Sequence, residues 1–285
     1  MGFRYLKRWI VACVVAVTAG CAAIPFAYRH ADSLIAWQAD HYFNLTSEQR
    51  SELITRLKSV LSRHRREALP EYERFLAEVR SRVERGLTGD DIDWFYEVLE
   101  RMRADLMERV VADGSPLLVS MAPSQVGHLE SVLLRENEKA ARLAEGPVED
   151  RIRKRGEQTV ELVQDWTGSL SKEQRSQIRA WSRVLPDSEP LWFRYRKEQQ
   201  QRWLALLRRP LTSATATGEW REVLIHQLHT APAWYRDAVL DWRAGVKTLA
   251  LRIDRILTPR QRDHVSHRLQ ELIEQIRALE TETHS

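Results

Sequence analysis

The stretch LTPRQRDHVSHRLQELIEQIRAL, from Leu257 to Leu279, decides the fold class. Its apolar side chains fall at Val265, Leu269, Leu272, Ile276 and Leu279, in steps of 4, 3, 4 and 3. That rhythm puts one apolar stripe on an otherwise polar helix. The stretch also carries its own start signal. The Thr258 hydroxyl can accept from an early backbone N–H while Gln261, three residues on, reaches back, a capping box. Leu257 supplies half of a hydrophobic staple. Pro259 falls at the first helical position, where its missing donor costs nothing.

The same opening recurs upstream as Leu45-Thr46-Ser47-Glu48-Gln49 and Leu170-Ser171-Lys172-Glu173-Gln174. Leu87-Thr88-Gly89-Asp90-Asp91 is a weaker copy, and Met121-Ala122-Pro123-Ser124-Gln125 lacks the capping hydroxyl. Further stripes run through Tyr72, Phe75, Leu76, Val79 and Val83, then Ile92, Phe95, Leu99, Met102, Leu106 and Val110, then Leu129, Val132, Leu133 and Leu143. Alternating β-branched runs are missing, and Asp113-Gly114 is the one hairpin-like dipeptide. The expected fold is therefore all-α: a multi-helix bundle or an irregular array of helical hairpins, about nine to eleven helices. Breaks are expected near Gly86, Gly114-Ser115-Pro116, Gly146-Pro147, Gly168, Pro186, Pro210 to Gly218, and Ala231-Pro232. The five boxes suit either divergent hairpin units or recurrent capping chemistry in an irregular bundle.

The N-terminus speaks to placement. Arg4, Lys7 and Arg8 precede a nine-residue apolar run, Trp9 to Val17, then Thr18-Ala19-Gly20-Cys21. This is the layout of a secretory signal peptide. With Cys after Ala-Gly it resembles the bacterial lipoprotein cleavage box, although Thr18 stands where Leu is usual. The resemblance implies that residues 1–20 are removed and that Cys21 becomes an acylated N-terminus, with Ala22 implying the outer membrane. An uncleaved span is the alternative, since Trp9 to Tyr28 carries no charge. Its second half, however, is small and interrupted by Pro25. Residues 21–27 then read as a short linker, 28–210 as the helical body, 211–218 (Ser/Thr-rich) as a loop, and 219–285 as C-terminal helices packed on the body. The short linker keeps the body close to the bilayer.

Charge and cysteine content narrow the function. The chain has 44 Lys+Arg against 40 Asp+Glu. Without Arg4, Lys7 and Arg8 the balance is 41 to 40, which argues against a nucleic-acid binder. The two cysteines, Cys13 and Cys21, both lie in the N-terminal segment, so a disulfide framework or a cysteine nucleophile in the body is excluded.

Tyr28-Arg29-His30-Ala31-Asp32-Ser33-Leu34, Trp37, Asp40, Tyr42-Phe43-Asn44-Leu45, Gln49, and His64-Arg65-Arg66-Glu67-Ala68-Leu69-Pro70-Glu71-Tyr72 are spaced as in an uncharacterised proteobacterial lipoprotein family. That family is the domain of unknown function six-two-seven-nine, and the chain resembles it along the mature length. Ser62 departs from it, where a Trp commonly precedes the His-Arg pair. The resemblance implies a mostly helical envelope lipoprotein and supplies no catalytic residues. The Leu-Thr-x-x-Gln boxes at 45–49 and 257–261 are also similar to the paired motif of small periplasmic stress chaperones of the Spy and CpxP type.

Candidate site residues follow. Trp192, Phe193, Arg194, Tyr195, Arg196 and Trp203 form an aromatic and basic candidate binding patch, set against ordinary core packing. Asp32, Asp40, His64 and Arg65 form a candidate polar cluster, set against a plain helix end. His226 with His229, and His264 with His267, stand at i, i+3 and could share a metal, set against boundary histidines on a polar face. No cofactor is expected. The preferred reading is a non-enzymatic, periplasm-facing lipoprotein of the outer membrane, held to the bilayer through acylated Cys21, that binds an envelope protein partner or client. The alternative is a metal-binding protein or enzyme using the helical histidines.

Overall fold

The computed structural model describes residues 23–144, 146–210, 212–226, 228 and 230–281. Cys21 and His229 lie outside these, as does Leu211. Among the described residues the chain is helical with no strand. Twelve helices follow in order: α1 (Ala23–Arg29), α2 (Ala31–Phe43), α3 (Ser47–Glu67), α4 (Leu69–Arg85), α5 (Gly89–Val119), α6 (Pro123–Ala144), α7 (Val148–Thr167), α8 (Lys172–Arg183), α9 (Glu189–Leu207), α10 (Ser213–Leu224), α11 (Ala233–Ile256) and α12 (Pro259–Thr281). The all-α expectation holds, with one helix more than the range expected. None of these helices is long and apolar enough to cross a membrane.

Three expected boundaries moved. Residues 21–27 were expected as a linker, but α1 is already helical from Ala23. Gly114-Ser115-Pro116 was expected to break a helix, yet α5 continues through Pro116 to Val119. Pro116 lacks the N–H that would bond the Ala112 carbonyl, so the helix passes through it with one ladder bond lost. The fully buried Ser115 hydroxyl bonds back to the Val111 carbonyl at 2.5 Å. The loop expected at 211–218 is instead, from Ser213 onward, the start of α10. Thr212 caps it, and Thr212 and Thr215 bond each other reciprocally in a capping box. Ala216 and Trp220 then bury in an apolar cluster, so the threonines serve as caps rather than loop.

The chain divides into two units that interleave in sequence. The first comprises residues up to 66, 101–143 and 191–232. One of its cores joins Leu117 and Met121 to Val126, Leu129 and Leu133 of α6 and Leu204 of α9, flanked by Tyr42, Phe43, Leu45 and Leu53. A second gathers Val111, Leu206, Ala216, Trp220 and Ile225. The other unit comprises residues 67–100, 144–190 and 233–285. There α4 lies along α12, α7 packs on α8 and α12, and Val160, Leu170 and Ile178 form a core with Ile253 and Ile256. Helix α5 gives its residues 89–100 to this second unit and 101–119 to the first.

Candidate functional site

The repeated boxes are joints. In the first unit Thr46 and Gln49 form both bonds of a capping box, at 3.0 and 3.2 Å. Gln125 performs half of the same task, its Oε1 accepting from the Ala122 N–H at 3.0 Å. The two glutamines then meet. Gln125 Nε2 donates to Gln49 Oε1 at 2.8 Å and also to the Phe43 and Asn44 carbonyls. The second unit repeats the arrangement. Gln174 and Gln261 each close a capping box, with Ser171 and Thr258 respectively. Gln174 Nε2 donates to Gln261 Oε1 at 2.8 Å, and Gln261 Nε2 returns a bond at 3.0 Å. Gln174 also reaches the Ile256 carbonyl and Gln261 the Ser169 carbonyl, both at 2.8 Å. The buried amides of Gln125, Gln174 and Gln261 thus each satisfy backbone groups on two segments at once. A lone capping box needs no partner, so the pairing is tertiary.

A second kind of joint clamps the turn from α4 to α5. Gly86 stands at φ 90°, where only glycine is comfortable. The next N–H, of Leu87, donates to Asp254, which also accepts from Arg262. Asp91, buried beside them, accepts from Thr88, Arg82 and Arg85. Burial alone would raise its carboxyl. The bonds from Arg85, the Thr88 hydroxyl and N–H, and Arg82 outweigh it and hold the group well below the usual carboxylate range. The weaker sequence copy at Leu87 to Asp91 is therefore a complete box with Asp in the role of Gln.

The candidate polar cluster divides. Asp40 accepts from the Leu45 N–H at 3.0 Å and belongs to the turn between α2 and α3. Asp32 accepts from the adjacent Ser33 N–H. His64 lies elsewhere in that unit: its Nδ1 is 3.0 Å from the Tyr28 hydroxyl of α1, and the Arg65 guanidinium lies over the Tyr28 ring at 5.5 Å. Burial, and then the nearby Arg109, push the His64 imidazole below its ordinary pKa. Tyr28 thus fastens the first helix to α3.

The candidate aromatic patch is shared between interior and surface. Tyr195 is buried, which raises its phenol, and Arg196 reaches Glu136, itself bonded to Tyr42. Trp192 and Phe193 are half-buried, Trp203 packs against the Val111 cluster, and exposed Arg194 pairs with Glu198. Of the paired histidines, His226 contacts Glu222, while His264 and His267 are exposed on α12. Among the described residues no three His, Cys, Asp or Glu side chains gather closely enough to hold a metal ion.

The sequence reading missed a groove of about 400 Å³ in the first unit. Leu118, Val119, Met121, Val126, Leu207 and Trp220 line it, together with Arg208 and Arg209. Arg208 pairs with Glu130 and Arg209 with Glu219, all well exposed. Such exposed pairs exchange partners at little cost. Met121 opens the third box along the chain, so the groove begins where the Gln49–Gln125 joint ends. The break expected at Gly114 to Pro116, the box at Met121 to Gln125 and the loop expected at 211–218 all bordered this region, and the first and last of these were misread.

No curated protein and no solved structure matches the chain significantly. A family profile described as a family of unknown function (DUF6279) matches residues 41–236. That span covers both glutamine-bearing boxes of the first unit, the groove and the Ser171–Gln174 box. The chain accordingly belongs to the DUF6279 family.

Proposed function

We propose that this chain is a lipoprotein of the outer membrane, facing the periplasm, that binds apolar segments of partner or non-native proteins without catalysing a reaction. The anchoring half rests on the basic, apolar and small-residue layout that ends at Cys21. The observation that carries the binding half is the groove bounded by Leu118, Val119, Met121 and Trp220. Its volume suits one or two large apolar side chains. Arg208 and Arg209 favour a segment that also carries an acidic residue. The Gln49–Gln125 joint holds the start of α6 at the groove's edge, which limits the ordering cost of binding.

The test is suppression of aggregation by the mature protein, without nucleotide, using several chemically unfolded clients. Val119→Asp places a charge on the exposed groove wall and is expected to abolish suppression while leaving the helical content intact. A photo-crosslinker at Val119 in the intact envelope is expected to capture polypeptide. Wild-type protein that suppresses nothing across the client set overturns the binding half.

A further inference from the structure

We infer that α1 and α2 form an amphipathic platform whose exposed apolar face rests on the membrane surface. Phe26 is 61% exposed, Leu34 51% and Trp37 62%. Among the described residues Trp37 is the one exposed tryptophan; the others are half-buried or buried. The two helices meet at His30, whose N–H donates to the Phe26 carbonyl as the last bond of α1 and whose carbonyl accepts from the Leu34 N–H as the first of α2; its φ of −103° and ψ of 14° lie outside the α-helical well. Within α2, Leu34 and Trp37 stand three residues apart on one side of the helix, with His41 a turn further on, and Phe26 is exposed on α1 before the turn. The opposite side is held to the rest of the unit. Ala36 is fully buried, Tyr28 meets His64, and the Tyr42 hydroxyl donates to Glu136 at 2.7 Å. The stripe therefore faces outward by construction.

The position of this face in the chain names its occupant. Cys21 lies five residues before Phe26, so even a fully extended chain keeps Phe26 within about 18 Å of that sulfur. Trp and Phe are the residues that settle at the headgroup boundary, and a helix lying in that plane buries such a face. A second copy of the chain is the other conceivable cover. Three side chains at these exposures offer about 350 Å², well short of the roughly 800 Å² per partner of a stable dimer.

The inference rests on Cys21 being the acylated terminus. The test uses the acylated protein isolated from membranes and reconstituted into phosphatidylethanolamine and phosphatidylglycerol vesicles, with and without brominated acyl chains. Bromine quenches tryptophans that reach the interface. Trp37→Phe keeps the face apolar and the protein bound, and is expected to lower the bromine-sensitive emission roughly twofold or more. Equal quenching of wild type and Trp37→Phe, with both acylated and vesicle-bound, overturns this inference alone. Spontaneous disulfide dimers of Trp37→Cys in the envelope overturn it in favour of a second copy. Wild-type protein that comes from the membrane fraction without an acyl group overturns the anchoring reading as well.

Discussion

Deleting one glutamine of the second unit's joint tests the structural logic most sharply. Gln174 and Gln261 are each 7% exposed and share two bonds. At about 1 kcal/mol net per bond, those two contribute about 2 kcal/mol. Gln174→Ala also strands the Ser171 N–H, which had donated to the lost amide at 2.9 Å, and the Ile256 carbonyl, which had accepted from it at 2.8 Å. Allowing water to reach part of the gap, these add about 1–2 kcal/mol, for a total near 3–4 kcal/mol. Gln261→Ala strands the Thr258 N–H and the Ser169 carbonyl and is expected to cost the same. The double variant loses the shared bonds once, so it falls short of additivity by about 2 kcal/mol. Urea titration of the mature protein, followed by circular dichroism at pH 7, measures all four corners of the cycle. Losses that add to within about 0.5 kcal/mol show that the glutamines act as separate caps and refute the joint.

Two pH-dependent outcomes follow from the buried groups. Asp91 has its folded pKa depressed, so its contribution is complete above the unfolded value of about 3.9 and fades as pH falls below it. Asp91→Asn leaves half-exposed Arg85 to solvent and Arg82 to Glu78, and is expected to cost about 1–2 kcal/mol at pH 7. The variant should also flatten the acid limb of an unfolding curve below about pH 4; an unchanged limb contradicts the assignment. His64 also has a depressed folded pKa. The unfolded chain then binds the proton more readily, and stability falls as pH drops below about 6.5. His64→Phe is expected to remove that component between about pH 6.5 and 5, read from melting temperatures in matched buffers.

Local chemistry was legible where one helix turn contains the whole signal. Thr46 with Gln49, Ser171 with Gln174 and Thr258 with Gln261 each form both expected bonds, because a capping box closes within four residues. The pairing of those boxes was not legible. Gln49 and Gln125, or Gln174 and Gln261, meet only after helices have packed, and no local pattern encodes that meeting. The composition cue at 211–218 misled for a related reason. Threonine favours caps and loops alike, and burial of Ala216 and Trp220 decided between them. The break expected at Pro116 did not form because Val111 and Leu117, on either side of it, bury in the first unit's two cores. In the candidate sites, helical spacing placed Trp192 to Trp203 on one helix but could not say which side of α9 faces the core. The exposed stripe of Phe26, Leu34 and Trp37 was visible only once Tyr28, Ala36 and Tyr42 were seen to occupy the other side.

Membrane placement turns on the sulfur of Cys21, and the intact mass of the membrane-fraction protein beside that of Cys21→Ser tests it most directly. The wild-type chain is expected to begin at residue 21 and to carry acyl mass. Cys21→Ser should keep its N-terminal segment and lose the lipid-modified form. A wild-type chain that retains Met1, or a Cys21→Ser protein identical to wild type in terminus and fractionation, contradicts it.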